Sequence, residues 1–435
     1  MAEKSRQAIL EKFGIEALNE MQETAHQAID SHSEVILLSP TGTGKTLAFL
    51  LPIVASLDPT IEDVQVLILV PSRELAIQIE QVTREMGSGF KTNAVYGGRS
   101  SGKDKLELKH APAILIGTPG RVADHLRRRT VSTKHIKTLV LDEFDKSLEV
   151  GFETEMNEIL DALPSLKKKI LTSATQNVGI PEFVGIRKPK HLNFLTNASP
   201  QLQIRTVVSK NKDKLEGLVR LLKYLKNKSG IVFCNFKDTI QFVSDHLSDE
   251  GVGHVCFYGG LEQIERERAL IKFRNGTHRV LLATDLAARG IDVPNLDFII
   301  HYQLPPAESE FTHRNGRTAR MNADGTAYIL KWENDELYDF VKGAEEVVIE
   351  ESSEKVKDAW ETLFISGGRK DKISKGDIAG LFFKQGELSK EELGVIELKQ
   401  DCAFVSVPKS KARKLVEKLN NTRLKKKKVR ITIAQ

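Results

Sequence analysis

Residues 39–46, SPTGTGKT, constrain this sequence more than any other stretch because of the segments on either side of them. An apolar run, residues 35–38, precedes them, and a second apolar run, residues 47–51, follows them. A strand, a glycine-rich turn and a helix start in this order aim backbone N–H groups and the positive end of a helix dipole at one point. The pattern therefore predicts a phosphate-binding loop. In such a loop, Lys45 would reach the terminal phosphates of a nucleotide and the Thr46 hydroxyl would ligate Mg2+.

The same plan, an apolar strand followed by a polar loop, recurs further along the chain. Such strands are predicted at residues 64–70, 113–116, 138–141 and 169–172. Strands that alternate with helices indicate a parallel sheet, and the loops at the carboxyl ends of its strands form the ligand crevice. Asp142, directly after the third of these strands, could hold Mg2+, and Glu143 could orient and deprotonate the attacking water. The alternative is a pair of surface charges.

The pattern breaks near residues 197–200, and a second alternating unit follows without a phosphate loop of its own. Its loops are rich in arginine. Arg314, Arg317 and Arg320 are three residues apart, so on a helix they would share one side and face one polyanion. Such a helix could supply an arginine finger for phosphoryl transfer. The alternatives are an exposed charged helix and, for His313, a structural hydrogen bond rather than a proton shuttle.

Length and composition indicate a multidomain globular protein. A chain of 435 residues has room for about three domains. No apolar run is long enough to span a bilayer, and the N-terminus has no signal-peptide core, so a cytoplasmic protein without a membrane partner is expected. Cys234, Cys256 and Cys402 are widely spaced, which predicts buried thiols rather than a disulfide frame or a zinc site.

The net charge of +5 conceals an uneven distribution. Residues 361–435 hold 18 Lys and Arg against 9 Asp and Glu, whereas residues 1–360 hold 46 against 50. A basic appendage on a slightly acidic body predicts that the tail binds nucleic acid or another polyanion. The alternative is a solvated lysine face.

Seven segments, taken in order, resemble the motifs of one protein family. They are SPTGTGKT, PSRELA, TPGR, DEFD, SAT, TDLAARGID and HRNGRTAR, and the family is the DEAD-box ATP-dependent RNA helicases. The resemblance implies an α/β fold with two tandem RecA-like parallel-sheet domains, at residues 1–197 and 203–350, and ATP, Mg2+ and RNA as ligands.

The resemblance also implies roles for individual residues. Gln22 would read the adenine, although a surface glutamine is the alternative, and Asp292 would hold the ribose. The phosphates would be bound by Thr41, Gly42, Thr43, Gly44, Lys45 and Thr46. Hydrolysis would depend on Lys45, Thr46, Asp142, Glu143, His313, Arg317 and Arg320, with Ser173 and Thr175 coupling it to domain closure. The RNA backbone would be held by Arg73, Gly98, Thr118, Arg121, Arg266 and Thr284.

Three departures from the family pattern lie in or near the predicted nucleotide site. In the phosphate loop itself, Ser39 and Pro40 replace the usual Ala-Gln pair. Phe144 stands where the family usually has alanine, and its bulk is expected to displace something near the site. Leu18 and Asn19 replace the Pro-Thr pair that usually precedes the adenine-reading glutamine. The metal, water and finger positions are retained, so ATP hydrolysis is still expected.

The tail predicts a third, α+β domain at residues 362–435, after a linker at 351–361. Its order of elements, βαββαβ, is that of an RRM-like fold, a four-stranded sheet backed by two helices. SGGRKDK and LKKKKVRITI resemble the RNA-binding domain of the DbpA type, found on bacterial helicases that act on large-subunit ribosomal RNA. RNA recognition could use basic residues on an edge or loop of this domain, or stacking of RNA bases on the sheet. The basic residues for an edge are Arg369, Lys370, Lys372, Lys425, Lys426, Lys427 and Lys428.

These observations predict a monomeric ATP-dependent RNA helicase that acts on ribosomal RNA or pre-ribosomal particles during ribosome assembly. A second hypothesis is an ATP-gated RNA clamp or scaffold that scarcely turns over. A DNA helicase or a small-molecule kinase is disfavoured, because the tail resembles an RNA binder and no domain is left for an acceptor substrate.

Overall fold

The computed structural model describes residues 6–40, 42–98, 101–149, 151–175, 179–195, 202–285, 296–318, 325–350 and 359–434. These residues divide into two compact units, one before residue 200 and one after it. In the ranges given, no helix combines the length and the apolar character that crossing a bilayer requires.

The first unit is built on a sheet of seven parallel strands in the spatial order β3-β4-β2-β5-β6-β1-β7. Side chains alternate across the sheet, so Val35 and Leu37 join the core on one face and Ile36 joins the core on the other. The central strands are apolar throughout because both faces are covered. The strands are β1 Glu34–Leu38, β2 Val66–Leu69, β3 Thr92–Val95, β4 Ile114–Gly117, β5 Thr138–Leu141, β6 Lys168–Ser173 and β7 Lys190–Asn193.

Eight helices of this unit lie in the described residues. Because β5, β6 and β1 are neighbours, the loops after them meet at one edge of the sheet. The phosphate loop joins β1 to α3, so it lies at this edge. The helices are α1 Arg6–Lys12, α2 Glu20–Ser31, α3 Lys45–Ala55, α4 Arg73–Met86, α5 Ser101–Leu108, α6 Pro119–Arg127, α7 Phe144–Glu149 and α8 Glu153–Asp161.

The second unit begins with another sheet of seven parallel strands, in the order β10-β11-β9-β12-β13-β8-β14. The prediction of two tandem RecA-like sheets is thus confirmed. The strands are β8 Leu202–Ser209, β9 Gly230–Phe233, β10 His254–Phe257, β11 Val280–Ala283, β12 Phe298–His301, β13 Gly325–Trp332 and β14 Glu345–Glu346. The described helices are α9 Leu215–Leu225, α10 Lys237–Asp249, α11 Gln263–Arg274 and α12 Glu308–Asn315.

The tail forms a four-stranded antiparallel sheet in the order β16-β17-β15-β20, as the βαββαβ pattern predicts. The strands are β15 Trp360–Ile365, β16 Ile396–Leu398, β17 Ala403–Pro408 and β20 Ile431–Ile433, and the helices are α13 Lys375–Lys384 and α14 Lys409–Leu419. An additional hairpin, β18 Arg423–Leu424 with β19 Lys427–Lys428, lies within the lysine run. The sequence did not predict this hairpin.

The three cysteines are free thiols, as expected. Cys234 is buried, and burial raises its pKa to about 12. Cys256 and Cys402 are only half-buried, so the prediction of buried thiols is wrong for these two.

Candidate nucleotide and RNA sites

The phosphate loop is closed by its own side chains. Ser39 Oγ lies 2.8 Å from Thr43 Oγ1, which donates to the carbonyl of Pro40 at 2.9 Å. Lys45, the first residue of α3, reaches back across the loop, and its Nζ donates to the carbonyls of Ser39 at 2.5 Å and Pro40 at 2.8 Å. The predicted phosphate-binding lysine therefore already lies over the loop. Thr46 follows in the same helical turn, and Thr41 lies outside the described residues.

Two features of the backbone and its surroundings favour glycine at position 44. Its φ is +87°, in the left-handed region that side chains disfavour. A Cβ at Gly44 would also lie 2.4 Å from Nε2 of Gln22. Gly42, with φ +81°, is likewise in the left-handed region. The loop thus depends on glycines for its shape.

Gln22 is not a surface residue, because it is 6% exposed and its side chain lies against the phosphate loop. Its Nε2 donates to the Gly44 carbonyl at 3.3 Å, and its Oε1 accepts from the Asn19 N–H at 3.1 Å. Asn19 caps α2 in return and also donates from Nδ2 to the Thr43 carbonyl at 3.1 Å. Adenine recognition by Gln22 stays a prediction. The contribution of Asn19 was missed, although its spacing of three residues before Gln22 is a capping signal.

Asp142 and Glu143 form the turn that leaves β5. Asp142 is buried, and the hydroxyl of Thr172 on β6 donates to its Oδ1. Burial raises the pKa of Asp142 to about 6, with a further contribution from the nearby Glu143 carboxylate. Glu143 has φ +49°, an unusual conformation that is concentrated at functional sites. The two carboxylates are therefore not a pair of ordinary surface charges.

The loop after β6 is linked to the loop after β5. Thr175 Oγ1 donates to Asp145 Oδ2 at 2.9 Å and lies 3.1 Å from the Ser173 hydroxyl. Phe144, expected to crowd this region, is 3% exposed and belongs to the hydrophobic core with Leu141. Its bulk is therefore accommodated in the core.

Four residues of the first unit were predicted to hold the RNA backbone. Arg73 begins α4, and a Cβ at Gly98 would lie 2.6 Å from its Nη1, so these two residues lie together. Thr118 is the N-cap residue of α6. Arg121, in the first turn of α6, is bound by carboxylates instead of facing solvent, with a side chain 13% exposed.

The arginines of the second unit that were predicted to face one polyanion are deeply buried where the structure describes them. Arg314 is 2% exposed, and its guanidinium pairs with Asp285 and donates to Asn235 Oδ1 at 2.8 Å. The prediction that it faces a polyanion together with Arg317 and Arg320 is therefore wrong for Arg314, which is held inside the domain. Arg317 is 8% exposed, and Arg320 lies outside the described residues.

The other predicted residues of this unit occupy separate positions. Arg266, on α11, is 9% exposed, and its guanidinium lies over the Phe257 ring, 4.9 Å from the centroid. Thr284 directly follows β11, and His313 lies in the last turn of α12. Asp292 lies outside the described residues.

The two basic stretches of the C-terminal domain come together. Lys427 Nζ lies 2.8 Å from Asp371 Oδ2, and Lys425 Nζ lies 3.0 Å from Asp377 Oδ2. The ammonium of Lys427 helps to lower the pKa of Asp371. We call the exposed residues of these stretches the basic surface: Arg369, Lys370, Lys372, Lys425, Lys426 and Lys428.

The aromatic face of the same sheet is covered by the second helicase domain. Phe404 is 8% exposed and packs with Ile271 of α11, Ala434 and the partly buried Phe364. At the margin, Arg274 Nε and Nη2 donate to the Glu397 carboxylate at 2.7 and 3.0 Å. Base stacking on Phe404 is therefore blocked in this arrangement. RNA recognition by an edge or loop of the domain stays a prediction.

Comparison with known proteins agrees with this organisation. Residues 19–182 match the DEAD/DEAH box helicase family, residues 213–322 the helicase conserved C-terminal domain, and residues 362–433 the DbpA RNA binding domain. The ATP-dependent RNA helicase DbpA of Escherichia coli (strain K12) is 31% identical over 438 residues, covering 98% of this chain and 96% of that protein. The protein of the same name from Bacillus subtilis (strain 168) is 30% identical over 463 residues, with the same two shares covered.

Solved structures give the same result. Dbp5 of S. cerevisiae, bound to RNA and ADP BeF3, is similar with a TM-score of 0.67 and 26% identity, over 76% of this chain and 88% of that one. The alignment with the Escherichia coli DbpA protein covers all three matched domains. The chain therefore belongs to the DEAD-box family and is an ATP-dependent RNA helicase of the DbpA type.

Proposed function

We propose that this helicase couples RNA-stimulated ATP hydrolysis to the local opening of short RNA duplexes, and that its C-terminal domain targets it to large-subunit ribosomal RNA during ribosome assembly. The observation that carries the targeting is the contact of 2.8 Å between Lys427 and Asp371, which unites two distant basic stretches into the basic surface. Clustered exposed cations are suited to the phosphates of a folded RNA.

In the first unit, we assign Lys45 to the terminal phosphates, Thr46 and Asp142 to Mg2+, and Glu143 to the attacking water. The residues fit a hard cation, because a buried carboxylate beside a second carboxylate concentrates negative charge, and oxygen ligands suit Mg2+. When bound, Mg2+ would neutralise charge on the phosphates. Glu143, held by its backbone N–H at 3.1 Å from Asp142 Oδ1, would orient the water and accept its proton.

The link from Asp145 through Thr175 to Ser173 supports a coupling role for the latter two residues. It joins the first turn of α7, directly after Glu143, to the end of β6, so a shift of Asp142 and Glu143 would reach the neighbouring loop. From the second unit, the family resemblance assigns Asp292 to the ribose and His313, Arg317 and Arg320 to hydrolysis.

An ATP-gated RNA clamp with little turnover is the second candidate. Its premise is that Phe144 and the altered phosphate loop distort the nucleotide site. Because the Phe144 ring packs in the hydrophobic core, this premise is weakened, and hydrolysis remains the proposal that we favour.

Steady-state ATP hydrolysis tests both candidates. It is measured without RNA, with DNA, with a generic RNA and with a large-subunit ribosomal RNA fragment of equal length. We expect RNA to stimulate hydrolysis and the ribosomal fragment to do so at lower concentration. Equal stimulation by all RNAs contradicts the targeting proposal, and absence of hydrolysis under every condition favours the clamp.

A pair of matched variants connects the targeting to the basic surface. Lys426→Glu with Lys428→Glu reverses two exposed charges within that surface. Lys384→Glu with Lys390→Glu, also exposed, makes the same change elsewhere on the domain. Only the first pair should abolish the preference for the ribosomal fragment, and neither should change hydrolysis without RNA. We further propose that the protein is cytoplasmic and monomeric. Sedimentation of the purified chain would test its oligomeric state.

A further inference from the structure

Arg121 binds two carboxylates of its own domain. Its Nε and Nη2 donate to Asp104 Oδ2 at 3.0 and 2.6 Å, and its Nη1 donates to Asp124 Oδ2 at 3.2 Å. The Arg121 side chain is 13% exposed, and the Asp104 side chain is completely buried. Every nitrogen of this guanidinium is therefore directed at a carboxylate of the protein.

Asp104 gives this pairing its strength. A buried carboxylate is strongly destabilising without a hydrogen-bonded cation, and removing one member of a buried ion pair costs more than the pair itself contributes. His125 lies one turn after Arg121 on the same helix, and its Nε2 is 3.2 Å from the same Asp104 oxygen. The ring is held in place by Thr130, whose Oγ1 is 2.7 Å from Nδ1. Moving Arg121 to an RNA phosphate would leave Asp104 without its main partner.

The position of this cluster connects it to RNA binding. Asp104 lies on α5, which begins at Ser101, shortly after Gly98. Arg121 and His125 lie on α6, which begins directly after Thr118. The ion pair therefore fastens together two helices that start at two of the segments expected to hold the RNA backbone.

We propose that Arg121 is a positioning residue for RNA binding: its guanidinium, held by Asp104, fixes the first turn of α6 relative to α5, and the RNA backbone is held by Arg73, Gly98 and Thr118 without a phosphate contact from Arg121. This inference rests on the proposed RNA site of the first unit. Asp104 is the partner through which Arg121 acts, although no sequence motif marks it.

The salt dependence of RNA binding separates positioning from direct contact. Each phosphate contact to single-stranded nucleic acid contributes about 0.7 to the slope of log affinity against log salt concentration. The test uses the full chain, a uridine oligonucleotide and a non-hydrolysable ATP analogue, with the variants Arg121→Gln, Asp104→Asn and both together. We expect each single variant to weaken binding about tenfold, the double variant to be no weaker than either single one, and the slope to stay unchanged.

Two further variants complete the experiment. Arg121→Lys keeps the charge but loses the two-nitrogen contact with Asp104, so it should fail to restore affinity, whereas a phosphate contact would accept lysine. Arg73→Gln should lower the slope by about 0.7, as expected of a residue in the RNA site. Thermal unfolding of each variant shows that the domain is intact.

Each contrary outcome has a distinct meaning. A lower slope for Arg121→Gln, with Asp104→Asn binding normally or more tightly, overturns the inference and leaves the proposed RNA site in place. An unchanged slope for Arg73→Gln, together with normal affinity of the Asp104→Asn and Arg121→Gln variants, overturns the proposed RNA site and the inference with it.

Discussion

The hydroxyl oxygen of Thr362, on β15, lies 2.7 Å from that of Thr277, in the segment that follows α11. Both side chains are buried, and Asn275 Nδ2 donates to the same Thr362 oxygen at 3.3 Å. Ser406 on β17 donates to the Asn275 carbonyl at 2.7 Å. Buried polar groups that lose a partner are costly, so these contacts fix the position of the C-terminal sheet on the second helicase domain.

A charge swap at the margin of this contact should show its strength. Arg274→Glu or Glu397→Arg alone places like charges at the present ion pair and should destabilise the docked arrangement by about 1–3 kcal/mol. The double variant should recover most of this loss. Recovery is expected to be partial because Lys399 Nζ, 3.9 Å from Glu397, would repel an arginine at that position.

The fluorescence of Trp360 can report on the docking of the C-terminal domain. A Cβ at Gly276 would lie 3.6 Å from Trp360 Cδ1, so the indole is close to the second helicase domain. The chain has two tryptophans, and Trp332→Phe leaves Trp360 as the single reporter. Its fluorescence should shift in each single-charge variant and return in the double variant. An identical spectrum in all variants would contradict the docking.

The segment before the phosphate loop should control base selectivity. Gln22→Glu replaces the N–H donor that contacts the Gly44 carbonyl, 3.3 Å away, with a carboxylate oxygen that repels it. We expect weaker ATP binding and about a tenfold smaller preference for ATP over GTP. Competition by GTP against a fluorescent ATP analogue measures this preference.

Asn19→Ala is the matched control for this prediction. It removes the side-chain cap of α2 and the bond to the Thr43 carbonyl, but it leaves the side-chain amide of Gln22 in place. The variant should lose about 1 kcal/mol of stability and retain the preference for ATP. If it also loses the preference, the effect at Gln22 is one of loop position rather than of base recognition.

Local patterns were sufficient to predict much of the fold. The continuous apolar runs predicted the central parallel strands because both faces of such strands are buried. The glycine-rich turn between β1 and α3 predicted the phosphate loop because few other residues adopt the conformation of Gly44. The order of elements in the tail predicted its four-stranded sheet.

Contacts between distant residues were not predictable from the same patterns. The spacing of Arg314 on its helix gives no sign that the distant Asp285 pairs with its buried guanidinium. Arg121 and Asp104 lie on different helices, and the partner that covers Phe404 belongs to another domain. The hairpin at Arg423–Lys428 was hidden because its turn contains lysines, of which Lys425 has φ +52°, instead of glycine.

A substitution of Glu143, in the turn that leaves β5, should separate ATP hydrolysis from ATP binding. Glu143→Gln preserves size and hydrogen bonding but cannot accept a proton, so turnover should fall at least about a hundredfold while ATP binding is retained. Lys45→Ala should lose ATP binding as well. Glu153→Gln, an exposed residue on α8, makes the same chemical change as a control and should leave hydrolysis unchanged. RNA-stimulated hydrolysis that survives Glu143→Gln would falsify the role assigned to Glu143.

Acid should destabilise the second helicase domain through His301. This histidine is fully buried, stacks on Phe311 with ring centroids 4.6 Å apart, and has its Nε2 2.9 Å from Asn315 Oδ1. Burial, with the nearby Arg314 charge, lowers its pKa to about 3. The unfolded chain therefore takes up a proton near pH 6.5, where the folded domain does not, and stability falls as the pH drops below that value.

The expected loss from His301 between pH 7 and pH 5 is about 2 kcal/mol. His301→Gln keeps a neutral hydrogen-bond donor for Asn315 and removes the titrating group. Urea unfolding of the two proteins at pH 7, 6 and 5 measures the effect as the difference between their pH slopes, which cancels groups that titrate in both. The variant should show a flatter profile of stability against pH. Its stability at pH 7 is expected to be lower, because the glutamine amide fits this buried position less well than the imidazole ring. Parallel profiles would mean that His301 is protonated in the folded domain, and the stacked ring would then have to be reached by solvent.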